Sequence, residues 1–132
     1  MTQDPAPRVL VVEDDLETRH FYMEVLSRGG FHVDQAHNGF QALEKAFAST
    51  PDLIVTDIAV PGLDGIELCT RLRADARTSD VPVLAITAYS DRQYPDRVRL
   101  AGADGVLIKP CEADQIVDEA RRVMELRQDK IR

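Results

Sequence analysis

Five short aliphatic runs, each followed by a stretch with helical spacing, limit what this chain can fold into more than any other feature. The runs are "RVLVV" (Arg8 to Val12), "HVDQA" (His32 to Ala36), "DLIVTD" (Asp52 to Asp57), "PVLAIT" (Pro82 to Thr87) and "GVLIK" (Gly105 to Lys109). Four are almost continuously apolar, as strands are when helices cover both faces of a parallel sheet. The second alternates and reads as an edge strand. Helical segments are predicted around residues 15–28, 39–48, 65–74, 94–102 and 112–127. The last carries Ile116, Val117, Ala120, Val123, Met124 and Leu126 mostly on one face, a stripe that belongs in a core. "GG" at 29 and 30, "NG" at 38 and 39, "PGLDG" from 61 to 65 and "AGADG" from 101 to 105 mark the turns. Pro95 is tolerated only in a first helical turn, so the fourth helix is predicted to start near Tyr94 and to be short.

Right-handed crossovers between parallel strands leave few topologies for five β-then-α units. An α/β doubly wound five-stranded parallel sheet is favoured over a closed barrel, which needs eight such units. With 132 residues the chain suits one domain, its core spanning about 8–127, with 1–7 as an N-terminal extension and 128–132 as a C-terminal tail. No apolar run approaches the length of a membrane span, and "MTQDPAPR" lacks the basic-then-apolar order of a secretory signal. The expected location is the cytoplasm. A net charge of −7 offers no basic stripe to a nucleic-acid backbone, which is excluded as the main partner along with the membrane. Cys69 and Cys111 have neither zinc-motif nor redox-pair spacing and read as small, semi-buried side chains. His20, His32 and His37 are scattered and read as surface or edge residues without a role.

In open sheets of this kind, ligands bind outside the carboxyl ends of the strands, where strand order reverses. The first strand ends in Glu13 and Asp14, the third in Asp57, the fourth in Thr87 and the fifth in Lys109. If the order is 2-1-3-4-5, the acid-bearing ends are neighbours. Carboxylates a few ångströms apart repel by about 4 kcal/mol per pair at an effective dielectric near 20. Glu13, Asp14 and Asp57 with Lys109 leave a formal charge of −2, which one divalent cation would neutralise. Oxygen ligands that keep several waters suit Mg²⁺ or Mn²⁺. A cation beside a carboxylate, a hydroxyl and an ammonium is a set of groups suited to a phosphoryl group.

At these residues the chain resembles the receiver domain of two-component response regulators. "VLVVEDD", "DLIVTDIAVPGLDGIEL", "VPVLAITA" and "AGADGVLIKP", with their spacing, carry the resemblance from about Arg8 to Arg127. It implies a flavodoxin-like (βα)5 sandwich with strand order 2-1-3-4-5. It further implies that Asp57 is a phosphoacceptor served by a phosphohistidine on a sensor histidine kinase or histidine phosphotransfer protein. Asp14, Asp57 and the backbone carbonyl of Ala59 would hold Mg²⁺, with Glu13 acting through a metal-bound water. Lys109 would pair with Asp57 before transfer and with the phosphoryl oxygen afterwards. Thr87 would be the switch hydroxyl, Ala88 would leave access to Asp57, and Lys109-Pro110 would match the family's cis peptide. The domain would be no enzyme beyond its own phosphorylation and dephosphorylation. Its output would reach a protein target through the face of helix four, strand five and helix five. Because the sequence stops soon after the fifth helix, a stand-alone receiver or phosphorelay shuttle is expected.

Some residues depart from the family pattern. Receivers commonly carry an aromatic residue three positions before the lysine, where this chain has Val106, and Cys111 stands where Phe is frequent. A phosphorylation-independent binding module with a vestigial site is therefore kept as the alternative. An aspartyl-phosphate hydrolase would need a second Asp at position 59, which is Ala. A flavin mononucleotide carrier would need hydroxyls and glycines where "EDDLET" is acidic. Tyr89 is the nearby aromatic that could share the switch role of Val106 or screen an acyl phosphate from water. On the screening reading, Tyr89→Ala quickens loss of the phosphoryl group, followed as acyl-phosphate half-life; an unchanged half-life rules screening out.

Overall fold

Parallel neighbours cannot be joined by tight hairpins, so each strand must be followed by a crossover, and here every crossover is a helix. The computed structural model describes residues 5–88 and 93–131, which leaves Tyr89 outside the described residues. In chain order the elements are β1 (Arg8–Val12), α1 (Leu16–Arg28), β2 (His32–Ala36), α2 (Gly39–Ala48) and β3 (Leu53–Asp57). They continue with α3 (Gly65–Ala74), β4 (Val83–Thr87), α4 (Tyr94–Ala101), β5 (Gly105–Ile108) and α5 (Ala113–Ile131). The five strands pair in parallel in the order β2-β1-β3-β4-β5, the flavodoxin-like arrangement. The order reverses between β1 and β3, which places the crevice beside Glu13 and Asp57.

Alternate residues along each strand feed two cores. Leu10, Val12, Ile54, Val83 and Ala85 pack with Ala42, Leu68, Leu72 and Val98 of α2, α3 and α4. Val9, Val11, Leu53, Val55, Leu84 and Ile86 pack with Tyr22, Leu26, Ile116, Ala120 and Val123 of α1 and α5. Both faces of the central strands are thus covered, which is why those strands read as unbroken apolar runs. β2, at the edge, is mostly exposed, with Val33 packed on the α1–α5 side and Ala36 buried on the α2–α4 side.

Three helices begin with the same device. Asp15, Asn38 and Asp64 accept hydrogen bonds from the backbone N–H of Thr18, Gln41 and Glu67, at 2.9, 2.8 and 2.9 Å. Each satisfies an orphan donor of the first turn. α4 lacks a side-chain cap and takes Pro95 in its first turn, as its sequence predicts. It ends at Gly102, whose φ of 119° closes the helix in the left-handed region favourable to glycine. α5 runs further than the pattern suggested: residues 128–131, expected as a tail, remain helical, because Gln128, Asp129 and Lys130 contain no helix breaker.

The end of the sheet opposite the crevice is closed by charged groups. Asp104, its side chain 1% exposed, accepts from Arg73 Nη2 at 2.9 Å, Arg127 Nη1 at 3.3 Å and the Val83 N–H at 2.9 Å. Arg73 also donates to the carbonyls of Ser79, Val81 and Gly102. One carboxylate therefore joins α3, α5, β4 and the start of β5. Removing one partner of a buried, hydrogen-bonded pair leaves the other charges uncompensated. Asp104→Ala is expected to cost about 3 kcal/mol or more in urea unfolding, whereas removing Glu67 from its exposed pair with Arg71 changes stability little.

Candidate functional site

Each acid of "EDD" has a different surrounding. Glu13 continues the β1 ladder past Val12, its N–H donating to the Ala36 carbonyl at 3.0 Å, and its side chain is turned inward and buried. Asp14 is exposed beside it. Asp15 caps α1, and its hydrogen bonds from the Thr18 hydroxyl and N–H hold its carboxyl below the usual carboxylate range. Glu13 Oε1 accepts from the Asp15 N–H at 3.0 Å, while Glu13 Oε2 is buried without a partner. Burial first, and then the neighbouring Asp57 carboxylate, push the Glu13 carboxyl up to about 8.

Asp57 ends β3 and is only 5% exposed. Its Oδ2 forms an ion pair with Lys109 Nζ, and its Oδ1 accepts from the Ala59 N–H at 3.3 Å. Burial alone would lower the Lys109 ammonium, but its hydrogen bond to Asp57 and the charges of Asp57 and Glu13 outweigh that, holding it above its ordinary value. Lys109 follows β5 directly, and its N–H donates to the Thr87 carbonyl at 2.8 Å, so the ends of β4 and β5 are tied together. Thr87 is buried, Ala88 is exposed, and the Lys109-Pro110 bond is cis. Gly65 lets α3 begin against this strand end, because a Cβ there would stand 2.9 Å from the Asp57 carbonyl oxygen.

The structure thus gathers Glu13, Asp57 and Lys109 at one strand-end crevice, with Asp14 beside them and Thr87 on the adjoining strand. Val106 is half-buried against the α2–α4 side of the core. His20, His32 and His37 are all exposed. Sequence reasoning missed three residues here. Asp15 was legible as a helix cap from its position three residues before Thr18. Arg19 donates to the Glu13 carbonyl at 2.9 Å and to Gln35 Oε1 at 2.7 Å, pinning α1 to the crevice. Tyr22 is a buried phenol, raised far above its usual range by burial, with Asp57, Glu13 and Cys111 adding to the effect.

The sequence matches the response regulator receiver domain family over residues 9–121. The chain belongs to that family. Among curated proteins, the receiver is 35% identical over 125 residues to the DNA-binding dual master transcriptional regulator RpaA of Synechocystis, covering 95% of this chain and 52% of that protein. It is 36% identical over 117 residues to the response regulator MprA of Mycobacterium ulcerans, covering 89% and 50%. The chain spans about half the length of these curated relatives. Among solved structures, the chemotaxis response regulator CheY4 of Vibrio cholerae superposes with a TM-score of 0.83 at 27% identity, covering 89% of this chain and 98% of that one. The receiver domain of a signal transduction histidine kinase from Syntrophus aciditrophicus gives 0.84 at 28%, covering 91% of each. No described helix is long and apolar enough to cross a membrane.

Receiver domains generally use Mg²⁺, and the donors of this crevice fit one. The unpartnered Glu13 Oε2 and the Asp57 carboxylate are hard oxygen donors at a buried site, and a cation between them would favour the ionised form of Glu13. Among the described residues no three His, Cys, Asp or Glu side chains are gathered as a metal-ligating group. Two carboxylates, a backbone carbonyl and waters would satisfy an octahedral ion without one.

The two thiols differ in access. Burial pushes the Cys69 thiol up to about 12, whereas Cys111 is half-buried with its Sγ 3.3 Å from the Ile108 carbonyl oxygen, and burial raises it too. Thiolate is the reactive form, so near pH 8 a thiol reagent should label Cys111, more slowly than a free thiol, and leave Cys69 untouched until the chain unfolds. Mass analysis of the folded protein, with Cys111→Ser as control, reads this directly.

Proposed function

We propose that the receiver takes a phosphoryl group onto Asp57 from a phosphohistidine and passes the change to a protein-binding surface. The observation that carries this is the buried Asp57 carboxylate at the end of a central strand, paired with Lys109 and crowded by Glu13. Asp57 is the nucleophile: a P–O bond to its carboxylate forms as the P–N bond to the donor imidazole breaks, and the electron pair returns to the imidazole nitrogen. Mg²⁺, when bound, would neutralise charge on the carboxylates and the phosphoryl oxygens. Asp14, Asp57 and the Ala59 carbonyl would hold it directly, and Glu13 through water. Lys109 pairs with Asp57 before transfer and moves to a phosphoryl oxygen afterwards. Ala88, having only a methyl group, leaves the approach to Asp57 open.

Transfer changes the local charge by about −1, since a carboxylate is replaced by a group carrying about −2. Donors must turn inward to meet that charge. The Thr87 hydroxyl at the end of β4 is the candidate we assign, and its movement would reach α4, β5 and α5, where a protein target would bind. Ordinary enzymatic turnover plays no part beyond self-phosphorylation and its reversal. A stand-alone or shuttle role is in keeping with the similarity to a chemotaxis regulator matched over 98% of its chain. We place the protein in the cytoplasm, where a kinase can draw on ATP.

Incubation with Mg²⁺ and acetyl phosphate should add the mass of one phosphoryl group, which is lost in Asp57→Asn. Lys109→Ala should slow the gain about 100-fold, the scale of losing one donor to transition-state charge. If neither acetyl phosphate nor a phosphohistidine protein modifies the wild type, Asp57 is no acceptor and the phosphorylation-independent module takes its place. Val106 favours that second reading, because it removes the aromatic readout common in the family.

A further inference from the structure

The loop from Ile58 to Asp64 carries Ala59, whose N–H meets Asp57 Oδ1, so its position sets the geometry around the proposed acceptor. Parts of it are anchored to the sheet and α3: the Ile58 N–H donates to the Ile86 carbonyl at 3.1 Å, and the Gly65 N–H to the Ile58 carbonyl at 2.8 Å. Between them the Leu63 N–H donates to the Pro61 carbonyl at 3.0 Å, closing a three-residue turn around Gly62, whose φ is 80°. Turns of this kind with positive φ at the centre are rare and strained, and persist only when their surroundings hold them.

Here the surroundings are the N-terminus of α2. A Cβ at Gly39 would stand 2.0 Å from the Leu63 carbonyl oxygen and 2.6 Å from Leu63 Cβ, so the loop rests on bare backbone. On its other side the Phe40 ring covers Gly62, with Cδ2 and Cε2 at 3.0 and 3.1 Å from where a Cβ at 62 would lie. The helix end that presents these residues is itself fixed. Asn38 accepts from the Gln41 N–H, and the Gln41 side chain accepts from the His37 N–H, both at 2.8 Å. Phe40 is 56% exposed, so its ring contributes little to the core.

We propose that Phe40 is a positioning residue for the Asp57 loop: its ring roofs the Gly62 turn and keeps Ala59 placed beside the acceptor carboxylate. The inference rests on the phosphoacceptor reading for its consequence and on contact geometry for its cause. Its test has two arms. In the first, hydrogen exchange of residues 58–63 is compared without phosphodonor between wild type, Phe40→Ala and Phe40→Leu. In the second, the rate of phosphorylation by acetyl phosphate is measured across Mg²⁺ concentrations.

Phe40→Ala should speed loop exchange, leave exchange in the β1 and β3 cores unchanged, and slow phosphorylation about 10-fold, within the range that small misplacements cost. Phe40→Leu, which keeps an apolar cover and stands in should the alanine variant not fold, should give intermediate values in both arms. Faster exchange with an unchanged rate would overturn the proposal, as would an unchanged loop. A wild type that takes up no phosphoryl group would overturn the acceptor reading instead, and the exchange arm, which needs no donor, tells the two failures apart.

Discussion

Negative charge buried at the end of a central strand is the constraint around which the crevice is organised. Asp57 sits where β3 stops, Glu13 lies beside it from β1, and the parallel topology brings Lys109 in from β5, two strands away. The lysine compensates one carboxylate, while burial first and Asp57 second hold the other carboxyl above its usual range and leave one of its oxygens without a partner. A site balanced in that way is poised to accept positive charge or to be neutralised by it.

The two ends of the sheet show how differently buried charge can be used. At the far end, Asp104 has a donor for each oxygen and joins four elements into one unit. At the crevice, Glu13 keeps an oxygen without a donor, and Asp57 is held by one lysine and one loop amide. Both Asp104 oxygens have donors, although Arg127 Nε beside them has no partner, whereas at the crevice it is a carboxylate oxygen that is left free to accept a proton donor or a cation.

Much of this was legible in the sequence because the signals were local. Continuous apolar runs gave β1, β3, β4 and β5, the alternation in "HVDQA" gave an edge strand, and Pro95 gave the start of α4. Strand ends gave Glu13, Asp57, Thr87 and Lys109, since topology alone brings strand ends together. Strand order was not readable from periodicity and came from resemblance. Asp15 was grouped with its acidic neighbours although its spacing to Thr18 marks a cap. Arg73, Asp104 and Arg127 were not singled out as a group, because nothing in the sequence shows that residues 73, 104 and 127 meet. The roof over Gly62 was invisible for the same reason: it pairs residues 40 and 62 through the packing of α2 on a loop.

α4 shows how these ends bear on one another. Its C-terminal end is held firmly: Gly102 closes the helix, and Arg73 donates twice to the Gly102 carbonyl from within the Asp104 cluster. Its N-terminal end has no side-chain cap, and follows directly on the connection from Thr87. The helix is thus bonded to the Asp104 cluster through its C-terminal end, while Gln93 at its N-terminal end supplies no side-chain hydrogen bond. The charge at Asp104 thus bears on the end of α4 that Gly102 closes, while the crevice lies at the far end of β4, beside Thr87.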